Sequence, residues 1–159
     1  MIDLESHTGV QESVDGMTGT RSHWSEADEL QEEMRDLLCL AVFGDHVRWV
    51  LTDDAELADW LAEAVPKWRA WAGEAARRLV ALGIPPDGRL RSLAQDISSN
   101  WVPDGWLEPT EARRLVDHRV HVAAGRAHYR QSQANDPALV DLLDRVWTGL
   151  DEQARARDV

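Results

Sequence analysis

Residues 46–89, HVRWVLTDDAELADWLAEAVPKWRAWAGEAARRLVALGIPPDGR, hold a helix end, a polar corner, a long amphipathic helix and a Pro-Gly exit. Asp53 or Asp54 is placed to cap that helix, and Glu56 falls in its first turn, where the helix dipole favours an anion. Apolar residues then recur at helical spacing: Leu57, Trp60, Leu61, Ala64, Val65, Trp68, Trp71, Ala75, Leu79 and Leu82. Gly83 suits a C-terminal stop, and Pro85 and Pro86 forbid continuation. Pro66 lies inside the pattern, where it removes a hydrogen bond and is expected to bend the axis. The stretch reads as one long, kinked core helix.

Working outward, Ser25 is expected to cap a preceding helix, with Asp28 at the capping-box position. Leu30, Met34, Leu37, Leu38, Ala41 and Val42 mark one face of it, and Leu40, Phe43, Val47 and Val50 another. A run such as LLCLAVF, apolar nearly all round, implies burial on two sides, the core and a subunit contact. Residues 1–24 are polar and lack hydrophobic period, so they read as a flexible tail in which His7 and His23 are passengers.

Beyond Gly83 a connector, residues 83–108, carries a short weak helix around Leu90 to Ile97. Its SSNWVPDGW segment is turn chemistry with Trp101 and Trp106 as aromatic plugs. Pro109 opens a third long helix with Ala112, Leu115, Val116, Val120, Ala123 and Ala127 at core positions. Asp136-Pro137 caps and starts a fourth, marked by Leu139, Leu142, Leu143, Val146, Trp147 and Leu150, which is expected to fray into DEQARARDV. No alternation suggests strands. The fold class is all-α: a four-helix bundle over residues 25–155, with a short helix in the long link between helices two and three.

Composition narrows the functions. The chain has 159 residues and a net charge of −12, with one lysine (Lys67), sixteen arginines and no basic run. Phosphate binding draws on clustered cations, so no nucleic-acid partner is expected. The single cysteine, Cys39, sits in an apolar run and allows neither a disulfide framework nor a CxxC metal site. No stretch reaches the ~20 apolar residues of a membrane span. A soluble, cytoplasmic protein with no membrane partner is the expectation.

From His46 to Pro86-Asp87-Gly88-Arg89 the chain resembles the Dps proteins, the ferritin-like "DNA-binding proteins from starved cells", especially actinobacterial forms. A His ending the first helix, an unbroken second helix ending in Ala-Leu-Gly and the PDGR exit carry the likeness. So does the start of the last helix, Asp136-Pro137-Ala-Leu-Val-Asp141-Leu142-Leu143. The resemblance implies ferritin-like subunits that assemble as two-fold dimers and hollow dodecamers, oxidising Fe(II) with hydrogen peroxide. It also implies an iron site between two subunits, built from two His and an Asp on one side and an Asp and a Glu on the other.

Carried over without gaps, the first His falls on His46 and the other ligand slots fall on Ala58, Ala62, Gly73 and Arg77. Two alanines and a glycine supply no side-chain donor, and arginine is a cation, so the ferroxidase site reads as lost. The Trp that usually follows the first His is Val47 here, with Trp49 two positions on. A register slip onto Asp59, Glu63 and Glu74 would put tryptophans and leucines on the wet face.

The same slots have a second reading. Ala58, Ala62, Pro66, Arg69, Gly73 and Arg77 follow at three- or four-residue steps and line one stripe. Small residues there leave room for an organic-ligand pocket at the two-fold interface, walled by Trp49, Trp60, Trp68 and Trp71 with His46, Arg69 and Arg77 as polar anchors. Packed helix–helix contact is the plainer expectation, ahead of the pocket. A line of imidazoles on the third helix, His118, His121 and His128, is a weak candidate metal set, with Asp117 and Tyr129 nearby. Arg119 and Arg126 beside it oppose a cation, and solvated histidines are expected instead.

No cofactor is expected, although iron or another metal stays open. Three function classes compete: an oligomeric stress- or storage-type Dps-like cage, a repurposed small-molecule binder or enzyme using the vacated interface, and a DinB-like mononuclear metal bundle. The third lacks the expected His spacing.

Overall fold

The computed structural model describes residues 18–89, 92–93 and 104–157, with side chains from Glu26 onward. Four helices carry it: α1 (Thr18–Val50), α2 (Ala55–Ala81), α3 (Pro109–Gln133) and α4 (Pro137–Arg155). α1 and α2 pack along each other as one hairpin, α3 and α4 as a second, and the two hairpins close on a shared core. Leu30, Leu37, Val47, Leu61, Trp68, Val116, Val120, Leu143 and Leu150 are fully buried in it. No strand occurs among the described residues beyond a single bridge between Leu51 and Leu107. The all-α expectation holds.

Local chemistry sets the helix ends. Asp54, not Asp53, caps α2 by accepting the Leu57 N–H at 3.0 Å. Asp53 instead turns the corner with φ +46°, a backbone conformation that Asp tolerates better than most residues. At the other end Gly83 takes φ +76°, as a helix stop requires. Pro137 occupies the first turn of α4, and its cap Asp136 accepts the Leu139 N–H at 2.9 Å. α2 runs on through Pro66, which lies on its exposed face.

Close helix approach is bought with glycine at two points. A Cβ on Gly44 of α1 would lie 2.7 Å from Val65 Cγ2 and 2.8 Å from the Trp68 ring of α2. One on Gly149 of α4 would lie 2.5 Å from the Trp71 ring. Each glycine therefore gives an α2 tryptophan its seat.

Three expectations are corrected. α1 begins at Thr18, so Ser25 lies inside it rather than capping it. Residues 1–17 are outside the described residues, and of the proposed Leu90–Ile97 helix only Ser92 and Leu93 are described, both helical. Trp106 is no plug: it is 77% exposed, while its neighbour Leu107 is buried. The bridge to Leu51 has strand-like geometry, which sends successive side chains to opposite sides; Trp101 lies outside the described residues. Finally, Asp151–Arg155 stay helical. Gln153 accepts the Trp68 Nε1–H at 2.8 Å, and Arg157 reaches Asp117 at 2.6 Å while lying 4.7 Å over the Trp60 ring. Those long-range anchors hold an end that local propensity would let fray.

Candidate functional site

The α2 stripe is where a site has to be sought, because the fold leaves it uncovered. Leu57, Leu61, Trp68, Ala72, Ala75 and Leu79 turn inward and are buried. That orientation leaves Ala58, Ala62 and Gly73 half-buried and Pro66, Arg69 and Arg77 exposed along the outer side. The inward face read from the spacing is the one the fold buries. Asp59 and Glu63 are exposed, and Glu74 is paired with Arg145 at 2.8 Å.

The end of α1 supplies the rest. His46 is half-buried, and Trp49, one turn on, is 72% exposed. Asp45 lies between Arg69 at 2.6 Å and Arg48 at 3.5 Å, so the carboxylate beside His46 is already neutralised twice. At the far end of the stripe the Arg77 Nη1 comes to 3.5 Å of where a Cβ on Gly73 would stand. A guanidinium thus overlies the glycine slot. Bare Cα and Cβ groups next to permanent cations suit packing or anionic groups better than a divalent ion.

The tryptophans divide in a way the spacing did not reveal. Trp68 is fully buried and hydrogen-bonded to Gln153 of α4. Trp60 packs edge-on against it, with ring centroids 6.0 Å apart, and Trp71 packs on Gly149. Trp68 is interior, Trp60 and Trp71 are half-buried against the core, and of the four only Trp49 is largely exposed. Periodicity places a residue on a helix but does not tell an inward tryptophan from one at the rim.

The histidines of α3 do not gather. His118, His121 and His128 are all exposed. His121 Nδ1 sits 2.8 Å from the Asp117 carbonyl, and His128 stacks on Trp147 with centroids 4.1 Å apart. Asp117 is engaged by Arg157, and Tyr129 is exposed. Among the described residues no group of three or more His, Cys, Asp or Glu is disposed to hold a metal within one chain.

What the sequence reading did not single out is a set of arginine links across the seam between the hairpins. Arg113 of α3 grips the Asp54 cap at 2.6 and 2.8 Å and holds its carboxyl below the usual range. Arg145 of α4 reaches Glu74 of α2, and Arg78 of α2 bridges Glu26 of α1 and the Asp136 cap of α4. Arg130 of α3, itself buried, meets Glu33 at 2.6 Å and Asp36 at 2.7 Å on α1. At the connector Arg89 and Ser92 hold Asp87 far below the usual carboxylate range, and Gln31 of α1 clasps the Asp87 backbone through both its N–H and its carbonyl.

Two hairpins of long helices joined by a long connector define a ferritin-like four-helix bundle. Comparison with solved structures makes the class narrower: the chain has the fold of Dps subunits. It superposes on a Dps of Deinococcus radiodurans with a TM-score of 0.82 at 18% identity, covering 87% of this chain and 86% of that one. A Dps of Mycobacterium smegmatis gives 0.80 at 18% identity over 97% and 92% of the two chains. Dps from Microbacterium arborescens, in a high iron form, gives 0.78 at 20% identity over 86% and 91%. The fine tangled pili major subunit of Haemophilus ducreyi is 26% identical over 143 residues, 87% of this chain and 75% of that protein. No family model matches the sequence.

Proposed function

We propose that this protein is a Dps-like subunit that self-associates through the outer face of α2 and whose iron-oxidising centre has been dismantled. The observation that carries the reading is the content of the stripe: Ala58, Ala62, Gly73 and Arg77 stand where the resemblance puts iron ligands, and the Arg77 guanidinium overlies Gly73. Of the five slots only His46 keeps a donor, and one imidazole does not hold Fe(II) against water and competing metals. The protein acts as an assembly of stress or storage type, with a contact in place of a redox site.

Self-association is supported by the surface itself. Trp49 is 72% exposed beside the stripe, and an exposed tryptophan of this kind is the commonest anchor of a protein interface. The exposed residues of α2 are also segregated by charge: Asp59 and Glu63 in its first half, Lys67, Arg69 and Arg77 in its second. Where the two-fold axis runs perpendicular to α2, the two α2 helices lie antiparallel, so acid meets base at both ends of one self-complementary patch. The Haemophilus relative is likewise named as a subunit of an assembly.

The test pairs mass with chemistry. Light scattering at micromolar concentration is expected to give a multiple of 17.9 kDa. Fe(II) oxidation by hydrogen peroxide is expected to run no faster with the protein than without it. Restoring donors through Ala58→His, Ala62→Asp, Gly73→Asp and Arg77→Glu is expected to bring some of it back. A monomer, or a wild-type protein that oxidises iron rapidly, overturns the reading.

A further inference from the structure

The seam between α1 and α3 holds more negative charge than it can neutralise. Glu29, Glu32, Glu33 and Asp36 project from successive turns of α1 toward Arg126 and Arg130 of α3. Arg130 approaches Glu33 at 2.6 Å, Asp36 at 2.7 Å and Glu32 at 3.6 Å, and Arg126 takes the other oxygen of Asp36 at 2.9 Å. Fully ionised, four carboxylates face two guanidiniums, an excess of two negative charges. Glu33 carries the cost, since its side chain is only 2% exposed. The next charges outward are already committed: Arg78 of α2 is held by Glu26 and by the Asp136 cap of α4.

A route for relief is present. Glu29 lies one turn from Glu33, and its Oε2 is buried without a hydrogen-bond partner among the described residues. Glu29 also lines a cavity of about 130 Å³, walled further by Glu26, Gln133, Asn135 and Asp136. The cavity opens to solvent beside Glu29, one helical turn from the buried Glu33.

We propose that Glu33, Arg130 and Glu29 form a proton-operated clasp between the two helical hairpins, tight when Glu33 carries a proton and strained when it does not. The step is a simple one: a proton from solvent, reaching the seam past Glu29, binds a Glu33 carboxylate oxygen, and Arg130 keeps its charge balanced against Asp36. Two observations agree with it. Burial, the largest influence, raises Glu33 from the ordinary 4.5 to about 7 against the pull of Arg130, and Asp36 and Glu29 add to the rise. Burial raises Glu29 as well, in the same direction.

The sign follows from the raised folded-state value. Below the unfolded value both states hold the proton and burying Glu33 costs least. As the pH climbs from about 4.5 to about 7, the unfolded chain ionises first and the folded state loses ground. Acidification therefore tightens the seam, and raising the pH to neutrality loosens it. The full span is worth at most on the order of a few hundredfold in the folding equilibrium, less whatever solvent screening removes.

The experiment uses the full-length protein and two readouts, the infrared carbonyl band of a buried carboxylic acid and the urea midpoint, across about pH 5.5 to 8.5. Wild type is expected to show the acid band near the low end, to lose it by the high end, and to fall in midpoint over the same range. Glu33→Gln is expected to lack the band and to flatten the midpoint profile. Glu29→Gln removes a neighbouring negative charge and is expected to move the loss of the band to lower pH, which keeps the test decisive even where Glu33→Gln does not fold. A wild type without the band near pH 6 overturns the proposal. So does a Glu33→Gln profile as steep as wild type, or a Glu29→Gln band that does not move.

Discussion

At the scale of single residues, Asp54 shows how far local chemistry is legible and where it stops. An Asp ahead of Glu56 and an apolar period announces a cap, and the cap is there. Its second role, holding Arg113 from a helix 59 positions away, has no local signal. The two roles are separable. Asp54→Ala is expected to cost about 1–2 kcal/mol in urea unfolding, since it strips the cap and leaves Arg113 without its best partner. Asp54→Asn keeps the cap oxygen and is expected to cost clearly less. Because Arg113 depresses the Asp54 carboxyl, the stability that depends on its charge is present above the ordinary value of 3.8 and fades as pH falls through the folded one. Equal losses in the two variants would show that the cap contributes little and the ion pair nearly everything. The candidate histidines part ways at this same scale: imidazoles spaced by whole turns share a side of α3, yet His121 meets a backbone carbonyl, His128 stacks on the Trp147 ring and His118 is exposed.

At the scale of helices, what was readable is what periodicity encodes. The inward face of α2 and its stop at Gly83 followed from spacing and φ freedom, and the starts of α3 and α4 followed from Pro109 and Asp136-Pro137. The first turns of α1 were not readable, because residues 18–25 carry no apolar period. Nor was the division of labour among the tryptophans, which depends on glycines placed in other helices: Gly44 opposite Trp68 and Gly149 opposite Trp71. The charge segregation of α2 belongs to this scale too, and it yields a prediction. If two α2 helices meet antiparallel, Lys67→Glu with Arg77→Glu sets acid against acid at both ends. Self-association is expected to weaken at least tenfold in sedimentation equilibrium, and to strengthen on adding salt, which screens the repulsion. Introducing Asp59→Lys and Glu63→Lys as well reverses the pattern and is expected to recover most of the loss. A double variant that associates as tightly as wild type would mean that α2 is not the contact.

At the scale of the whole molecule, the resemblance held for the fold, because the pattern of four helices and their connections is spread over the entire chain and survives at 18–20% identity. A site is a handful of positions, so likeness of fold says little about chemistry. The same caution applies to nucleic acid, and charge is the better guide. With 29 acidic residues against 17 basic ones, the chain has a net charge of −12. Its arginines are used at home: Arg78, Arg113, Arg126, Arg130, Arg145 and Arg157 all sit on carboxylates within 3.1 Å. Affinity for duplex DNA rises with the number of phosphates neutralised, each releasing a counterion, and a guanidinium already bound to a carboxylate contributes little to that release. Assembly multiplies the problem, since every added subunit brings its own negative excess to the surface the DNA would approach. The exposed cations of α2 are no remedy, because self-association would cover them. No retardation of duplex DNA is therefore expected at low micromolar protein in ordinary salt, and none is expected to appear as salt is lowered. Retardation that grows steadily as salt falls would mean that the assembled protein presents a cationic surface, and the proposed use of α2 as a subunit contact would fail with it.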